Sequence, residues 1–225
     1  MIAGGRRAVA LLSGGLDSVV SLARATDEMD VRLVLFFNYG QRALARERSA
    51  VLGVVNFYHL PLREVELDWL GPLSPEGMRL GGEADDDAGS SLRTVDSVWI
   101  PNRNGVFLNV AASFAESFKC DRIVTGFNRE EAVEFPDNRP EYVSIVNRGL
   151  ELSTRTGVQV VSFTQDLDKR DILKLGAKLG APLSVIWSCY EAGEFMCGRC
   201  SSCRRLKIAL DGVPADIRPP LQFTS

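Results

Sequence analysis

Two short stretches at opposite ends of the chain carry the residues best suited to chemistry. The first is Ser13-Gly14-Gly15-Leu16-Asp17-Ser18, which directly follows the apolar run Arg7 to Leu12. A strand feeding such a loop and then a helix gathers backbone N–H groups and the positive end of a helix dipole at one point, where anionic oxygens are stabilised. The glycines let the backbone approach a ligand with no Cβ in the way. Ser13 and Ser18 can donate hydroxyl hydrogen bonds to phosphate oxygens. Asp17 cannot, and a carboxylate facing phosphate needs a cation between them or a turn-stabilising role. It is expected to hold Mg²⁺ or to shape the loop. An ordinary Ser-Gly-Gly turn is the competing reading, and a bare Gly-Gly would merit it.

The second stretch is Cys189-x7-Cys197-x2-Cys200-x2-Cys203, which holds four of the five cysteines. Four thiolates at this spacing complete a tetrahedral Zn²⁺ shell with no open position, so the metal would be structural. An Fe–S cluster takes the same ligand count and is not excluded by spacing. Gly193 and Gly198 supply tight turns, and Arg199, Arg204 and Arg205 would soften the charge of four thiolates. A zinc ribbon can also grip nucleic acid. Cys120, isolated among apolar residues, is expected to be a buried thiol.

These two stretches need a scaffold, and the hydrophobic pattern indicates one. Val31 to Asn38 is continuous and apolar, as in a strand buried on both faces. Further strands are expected at Phe57 to Leu62, Arg122 to Thr125 and Val158 to Phe163. Helices are expected from Leu16, over Gln41 to Leu52, and at about 103–118, 141–156 and 169–180. The alternation predicts an α/β fold, a parallel sheet with helices on both faces and ligands at the carboxyl ends of the strands. Residues 1–185 are expected to form this domain and residues 186–225 a small zinc-binding segment. The stretch 68–95, with Asp85-Asp86-Asp87, reads as a solvated loop or lid. His59, the only histidine, reads as a structural residue in an apolar strand.

Bulk properties exclude several partners. A formal net charge of −3 and a pI near 5.4 give no basic footprint for nucleic acid. No run of 18 apolar residues predicts a membrane span. The apolar stretch after Arg6-Arg7 is too short for an export signal, so a cytoplasmic location is expected.

The loop resembles the PP-loop signature of ATP pyrophosphatases, which bind ATP through its pyrophosphate and release that group while adenylating a substrate. It is not a Walker A loop, because no Gly-Lys-Ser/Thr occurs. On this resemblance Leu12, Ser13, Gly14, Gly15, Leu16, Asp17, Ser18, Val19, Val20, Ser21 and Leu22 would bind ATP with Mg²⁺. Both motifs together, with Asn38-Tyr39-Gly40-Gln41-Arg42, Ile100-Pro101-Asn102-Arg103-Asn104, Gly126-Phe127-Asn128 and Phe135-Pro136-Asp137-Asn138-Arg139, resemble the QueC family of 7-cyano-7-deazaguanine synthases. Many members read Val-Pro-Gly-Arg-Asn and Tyr-Pro-Asp-Cys-Arg at the second and fourth of these.

The resemblance implies that a 7-deazaguanine carboxylate is adenylated, converted by ammonia to an amide, then adenylated again and dehydrated to the nitrile. Asp17, Ser18 and Arg103 are the catalytic candidates. Arg42, Asn104 and Arg139 are candidates for holding substrate, with a surface ion pair the competing reading for each arginine, and Asn128, Glu130 and Asp137 for reading a guanine-like base, with capping or turn roles equally open for Asn128 and Asp137. A built-in glutaminase would need a nucleophilic Cys, a His and another domain's length, so ammonia is expected to arrive free. Partners would be small molecules, with neither nucleic acid nor membrane, and a homodimer stays open. The rivals are a PP-loop enzyme acting on a base within RNA, and a zinc-ribbon scaffold with a vestigial loop.

Overall fold

The computed structural model describes residues 5–73 and 99–224. Most of the expected 68–95 loop, including Asp85, Asp86 and Asp87, therefore lies outside the described residues. In chain order the elements are β1 (Arg7–Leu11), α1 (Leu16–Glu28), β2 (Asp30–Asn38), α2 (Leu44–Tyr58), β3 (Leu62–Glu66), α3 (Arg103–Ser117), β4 (Arg122–Thr125), α4 (Arg129–Glu134), α5 (Pro140–Ser153), β5 (Gln159–Ser162), α6 (Lys169–Lys178) and α7 (Ser201–Asp211). The five strands form one sheet in the order β3-β2-β1-β4-β5, and all four pairings are parallel. The chain winds outward in one direction through β2 and β3, and in the other through β4 and β5. The winding reverses between β1 and β4, where open parallel sheets leave a crevice at their carboxyl edge.

Alternation along the strands fills a separate core on each face. Ala8, Ala10, Val34 and Phe36 pack with α1, α2, α6 and α7, whereas Val9, Leu33, Leu35, Phe37, Ile123 and Val160 pack with α3 and α5. The cysteine-bearing tail adds Cys189, Met196, Cys203, Leu206, Ala209 and Val213 to the first core. No described helix is long and apolar enough to cross a membrane.

One element differs from expectation. The strand expected at Phe57 to Leu62 is the end of α2, and β3 begins only at Leu62. Ala50, Val51, Val54 and Val55 form a buried helical stripe, and burying it outweighs the β preference of the apolar run after it. His59 is thus an exposed helix cap rather than a strand residue. It takes the left-handed conformation with φ 55° and donates its N–H to Asn56 O and Val55 O.

Two backbone positions set the crevice. Asn102, before α3, has φ 53°, a conformation open to Gly and tolerated by Asn. Asn for Gly in the Ile100 to Asn104 motif therefore preserves the turn that presents Arg103. At the end of β4, a Cβ on Gly126 would lie 2.5 Å from Ser18 N and 2.7 Å from Ser18 Cα, so strand and helix touch backbone to backbone. Gly126→Ala is expected to destabilise the protein by about 1–3 kcal/mol, because rigid backbone must move. A urea midpoint unchanged from the unaltered protein would contradict this contact.

Candidate active site

The phosphate loop occupies the crevice. Gly14, with φ 81°, rests on α2, where a Cβ would sit 2.8 Å from Ala50 Cβ. Ser18 Oγ donates to Gly15 O at 3.0 Å and lies 3.1 Å from Ser13 Oγ, and Ser13 N donates to Ser18 Oγ at 3.3 Å. Gly15 begins α1 with no side-chain cap, and Leu16 N donates to Ser188 Oγ at 3.3 Å. The first turn of α1 thereby faces a cavity of about 250 Å³ lined in part by Leu12, Ser13, Gly15, Asp17 and Ser18. Leu16, Val19, Val20 and Leu22 are core residues below the loop. Ser21 Oγ donates to Thr125 O at 2.5 Å and accepts from Phe163 N at 3.2 Å, binding α1 to the ends of β4 and β5.

A buried charge cluster abuts the loop. Lys169, 4% exposed, places Nζ 2.5 Å from Asp17 Oδ2 and 3.4 Å from Glu131 Oε1. Burial lowers the Lys169 pKa, but Asp17 and Glu131 outweigh it and hold the ammonium above the ordinary lysine value. Burial raises the Asp17 pKa against the pull of Lys169. Burial also opposes ionisation of Glu131, yet Lys169, Arg205 and Arg103 outweigh it and leave that carboxyl below the usual range. Asp17 Oδ1 is buried with no hydrogen-bond partner among the described residues. An orphan carboxylate oxygen beside an anion-binding loop fits a hard cation.

Opposite lies an aromatic and basic wall. Phe37 and Phe107 stack at 4.1 Å, and Tyr39 approaches Phe107 at 5.7 Å. Arg103 lies over the Tyr39 ring at 5.8 Å and donates from Nη1 to Tyr39 Oη at 3.3 Å. Flat apolar surface with a cation at its edge suits a planar ring bearing an anionic group. Arg103 and Asn104 both line the cavity.

The other substrate candidates are not on the cavity wall. Glu130 Oε1 accepts from Lys169 N at 3.1 Å, beside the start of α6, while its neighbour Glu131 faces the cavity. Asn128 caps α4 by accepting from Glu131 N at 2.9 Å. Arg139 is exposed and donates to Ala132 O at 3.0 Å. Arg42 lies 3.8 Å from Glu191. Asp137 takes a 3.3 Å hydrogen bond from Asn138 Nδ2, and burial raises its pKa against Arg103. Sequence reasoning missed Lys169, Glu131, Tyr39, Gln41 and Glu47. Lys169 and Glu131 sit in charged runs that resemble solvated helix starts, whereas Tyr39 and Gln41 stand within the Asn38 to Arg42 motif.

The four cysteine sulfurs lie within 4.8 Å of one another. Zn–S bonds of about 2.3 Å in a tetrahedron place sulfurs about 3.8 Å apart, and Cys197 Sγ and Cys203 Sγ stand at 3.9 Å. Backbone N–H groups of Glu191 and Cys197 donate to Cys189 Sγ at 3.3 Å, that of Cys200 to Cys197 Sγ at 3.3 Å, and that of Cys203 to Cys200 Sγ at 3.4 Å. Such donors favour thiolates, so this set could hold a metal ion. Just before it, Trp187 N donates to Gly14 O at 2.9 Å, which docks the tail on the phosphate loop.

A doubly wound parallel sheet with a Ser-Gly-Gly-Leu-Asp-Ser loop at its switch point defines an α/β fold of the PP-loop ATP pyrophosphatase type. The structure of NMN synthetase from Francisella tularensis shares this fold, with a TM-score of 0.51 over 95% of this chain and 81% of that one at 15% identity. The chain belongs to the family described as Queuosine biosynthesis protein QueC, whose family model matches residues 7–213. It is 46% identical to the 7-cyano-7-deazaguanine synthase of Pelotomaculum thermopropionicum, over 88% of this chain and 94% of that relative. It is also 46% identical to that of Carboxydothermus hydrogenoformans, over 92% and 99%, and 40% identical to that of Methanosarcina mazei, over 96% and 97%. These relatives are by name synthases of 7-cyano-7-deazaguanine.

Lys169→Met is expected to cost about 1–3 kcal/mol, because it leaves two partly buried carboxylates without their shared cation. Urea denaturation at neutral pH measures this, and a loss below about 1 kcal/mol would mean that the cluster relaxes into solvent.

Proposed function

We propose that this chain converts 7-carboxy-7-deazaguanine, ATP and ammonia to 7-cyano-7-deazaguanine in the cytoplasm. The observation that carries the reading is the phosphate loop at the switch point, facing one cavity together with Arg103 and Lys169. The names of relatives that match over nearly their whole length support it. A carboxylate is a poor electrophile until one oxygen becomes a good leaving group, and transfer of AMP achieves this. The protein's work is then to position two anions and stabilise developing charge.

In this reading Ser13, Ser18 and the first turn of α1 hold the phosphates, and Lys169 stays protonated beside the departing pyrophosphate. Arg103 orients the substrate carboxylate, with Tyr39 and Phe107 flanking the ring. Asp17 Oδ1 would hold Mg²⁺, which when bound supplies charge neutralisation for the phosphates. Residues 186–225 would use Cys189, Cys197, Cys200 and Cys203 to hold one structural Zn²⁺, completing the site of a 1–185 catalytic domain.

The purified protein incubated with ATP, Mg²⁺, ammonium and 7-carboxy-7-deazaguanine should yield AMP and the nitrile, followed by mass. AMP that forms only after tRNA is added would overturn the reading. Asp17→Asn is expected to lower AMP formation by at least about 10²-fold with an unchanged circular dichroism spectrum; near-normal AMP formation would remove Asp17 from the metal role. Metal analysis should return about one Zn per chain, and less than about half would sink the four-cysteine site.

A further inference from the structure

Glu47 is a half-buried titratable group on the cavity wall with no part in the reaction proposed above. It stands in the first turn of α2, on the helix that supports Gly14. Gln41 fixes its setting. Tyr39 N donates to Gln41 Oε1 at 3.0 Å, so the Gln41 amide nitrogen must face the other way. That nitrogen donates to Phe37 O at 3.0 Å and to Glu47 Oε2 at 2.9 Å. Glu47 thus receives one neutral hydrogen bond. Among the described residues no cation lies within ion-pair distance of it, unlike Asp17 and Glu131, which are committed to Lys169.

Resting on the proposed function, we infer that Glu47 is the ammonium subsite of this cavity and the base that takes the first proton from the bound ion. Free nitrogen in neutral water is mostly NH₄⁺, which has no lone pair with which to attack. A site using it must attract a cation and then remove a proton. A carboxylate that no described residue holds in an ion pair, on the same cavity wall as Tyr39, meets both needs.

The step balances. One N–H bond of ammonium breaks with its proton passing to Glu47, and the nitrogen lone pair forms the C–N bond at the acyl-adenylate carbon. The C–O bond to AMP breaks with its electron pair going to the phosphate oxygen. That oxygen takes the second proton lost by the adduct, and Glu47 returns its own to solvent through the cavity mouth.

The groups facing Glu47 leave it as the one that titrates near neutrality. Burial pushes its carboxyl up to about 7, against the Gln41 amide and the Arg103 charge. Burial also pushes the Tyr39 phenol up to about 12, against Arg103, so Tyr39 stays neutral. Arg103 remains charged, held above its usual value by Tyr39 and Asp137 despite its burial. Glu47 is therefore increasingly a carboxylate as pH rises through about 7.

The test compares ammonium with hydroxylamine, a nucleophile already unprotonated at neutral pH. Glu47→Gln, which keeps the shape and the Gln41 contact, is expected to lower ammonium-dependent amide formation about 10²-fold and hydroxylamine-dependent formation less than about fivefold. In the unaltered protein, turnover at fixed total ammonium should rise to a plateau through about pH 7, with the hydroxylamine rate, counted per unprotonated hydroxylamine, flat across the same range. Equal losses for both nucleophiles in the variant, or parallel pH profiles in the unaltered protein, would overturn the assignment of Glu47. Should ATP–pyrophosphate exchange with 7-carboxy-7-deazaguanine fail in the unaltered protein, the proposed function itself falls.

Discussion

The site depends on one buried positive charge. Lys169 comes from the first residue of α6, Asp17 from the first turn of α1 and Glu131 from α4. These segments are remote in sequence and follow three different strands. An ammonium ion removed from water needs a close carboxylate, and Asp17 at 2.5 Å with Glu131 at 3.4 Å meets that need. The cluster therefore fixes the loops after β1, β4 and β5 relative to one another. It also presets the electrostatics: a cation stands beside the Ser13 to Ser18 loop, so an anion placed there would meet a charge already oriented.

Backbone contacts do the rest of the positioning, and they explain why the sequence conveys the loops better than the pocket. A Ser-Gly-Gly-Leu-Asp-Ser string can be read because its conformation is local: Gly14 needs φ 81°, and the following helix needs no side-chain cap. The doubly wound sheet was equally readable, since Leu33 to Phe37 and Ile123 to Thr125 are buried on both faces. The end of α2 was not. There a helical stripe and an apolar run overlap, and only packing decides between them.

The cavity wall was read only in part. Arg103 and Asn104 line it, whereas Glu130, Arg139 and Asn128 serve capping or backbone contacts. Glu130 and Glu131 are adjacent, so helical phase alone decides which enters the cavity, and α4 is only six residues long. Lys169 escaped notice because Asp168-Lys169-Arg170-Asp171 has the composition of a solvated helix start. A buried lysine is recognised only when its partners are brought to it from elsewhere in the chain.

The position of the cysteine cluster follows from the same geometry. The sheet leaves its crevice open on the side of the phosphate loop, and β1 cannot supply a lid for its own carboxyl end. The tail supplies one: Trp187 and Ser188 bond to Gly14 and Leu16, and Cys189 lies two residues beyond Trp187 on the cavity wall. A segment with so little regular structure between Ile186 and Ser201 has few backbone hydrogen bonds to hold it. Four sulfurs gathered within 4.8 Å supply the missing constraint if they share an ion, and Leu206 and Ala209 of α7 seat the cluster on the sheet core. The cysteine cluster and the hydrogen bonds at the Ser13 to Ser18 loop are thus joined by one short segment, Trp187 to Cys189, so an ion held at the first would also restrain the second.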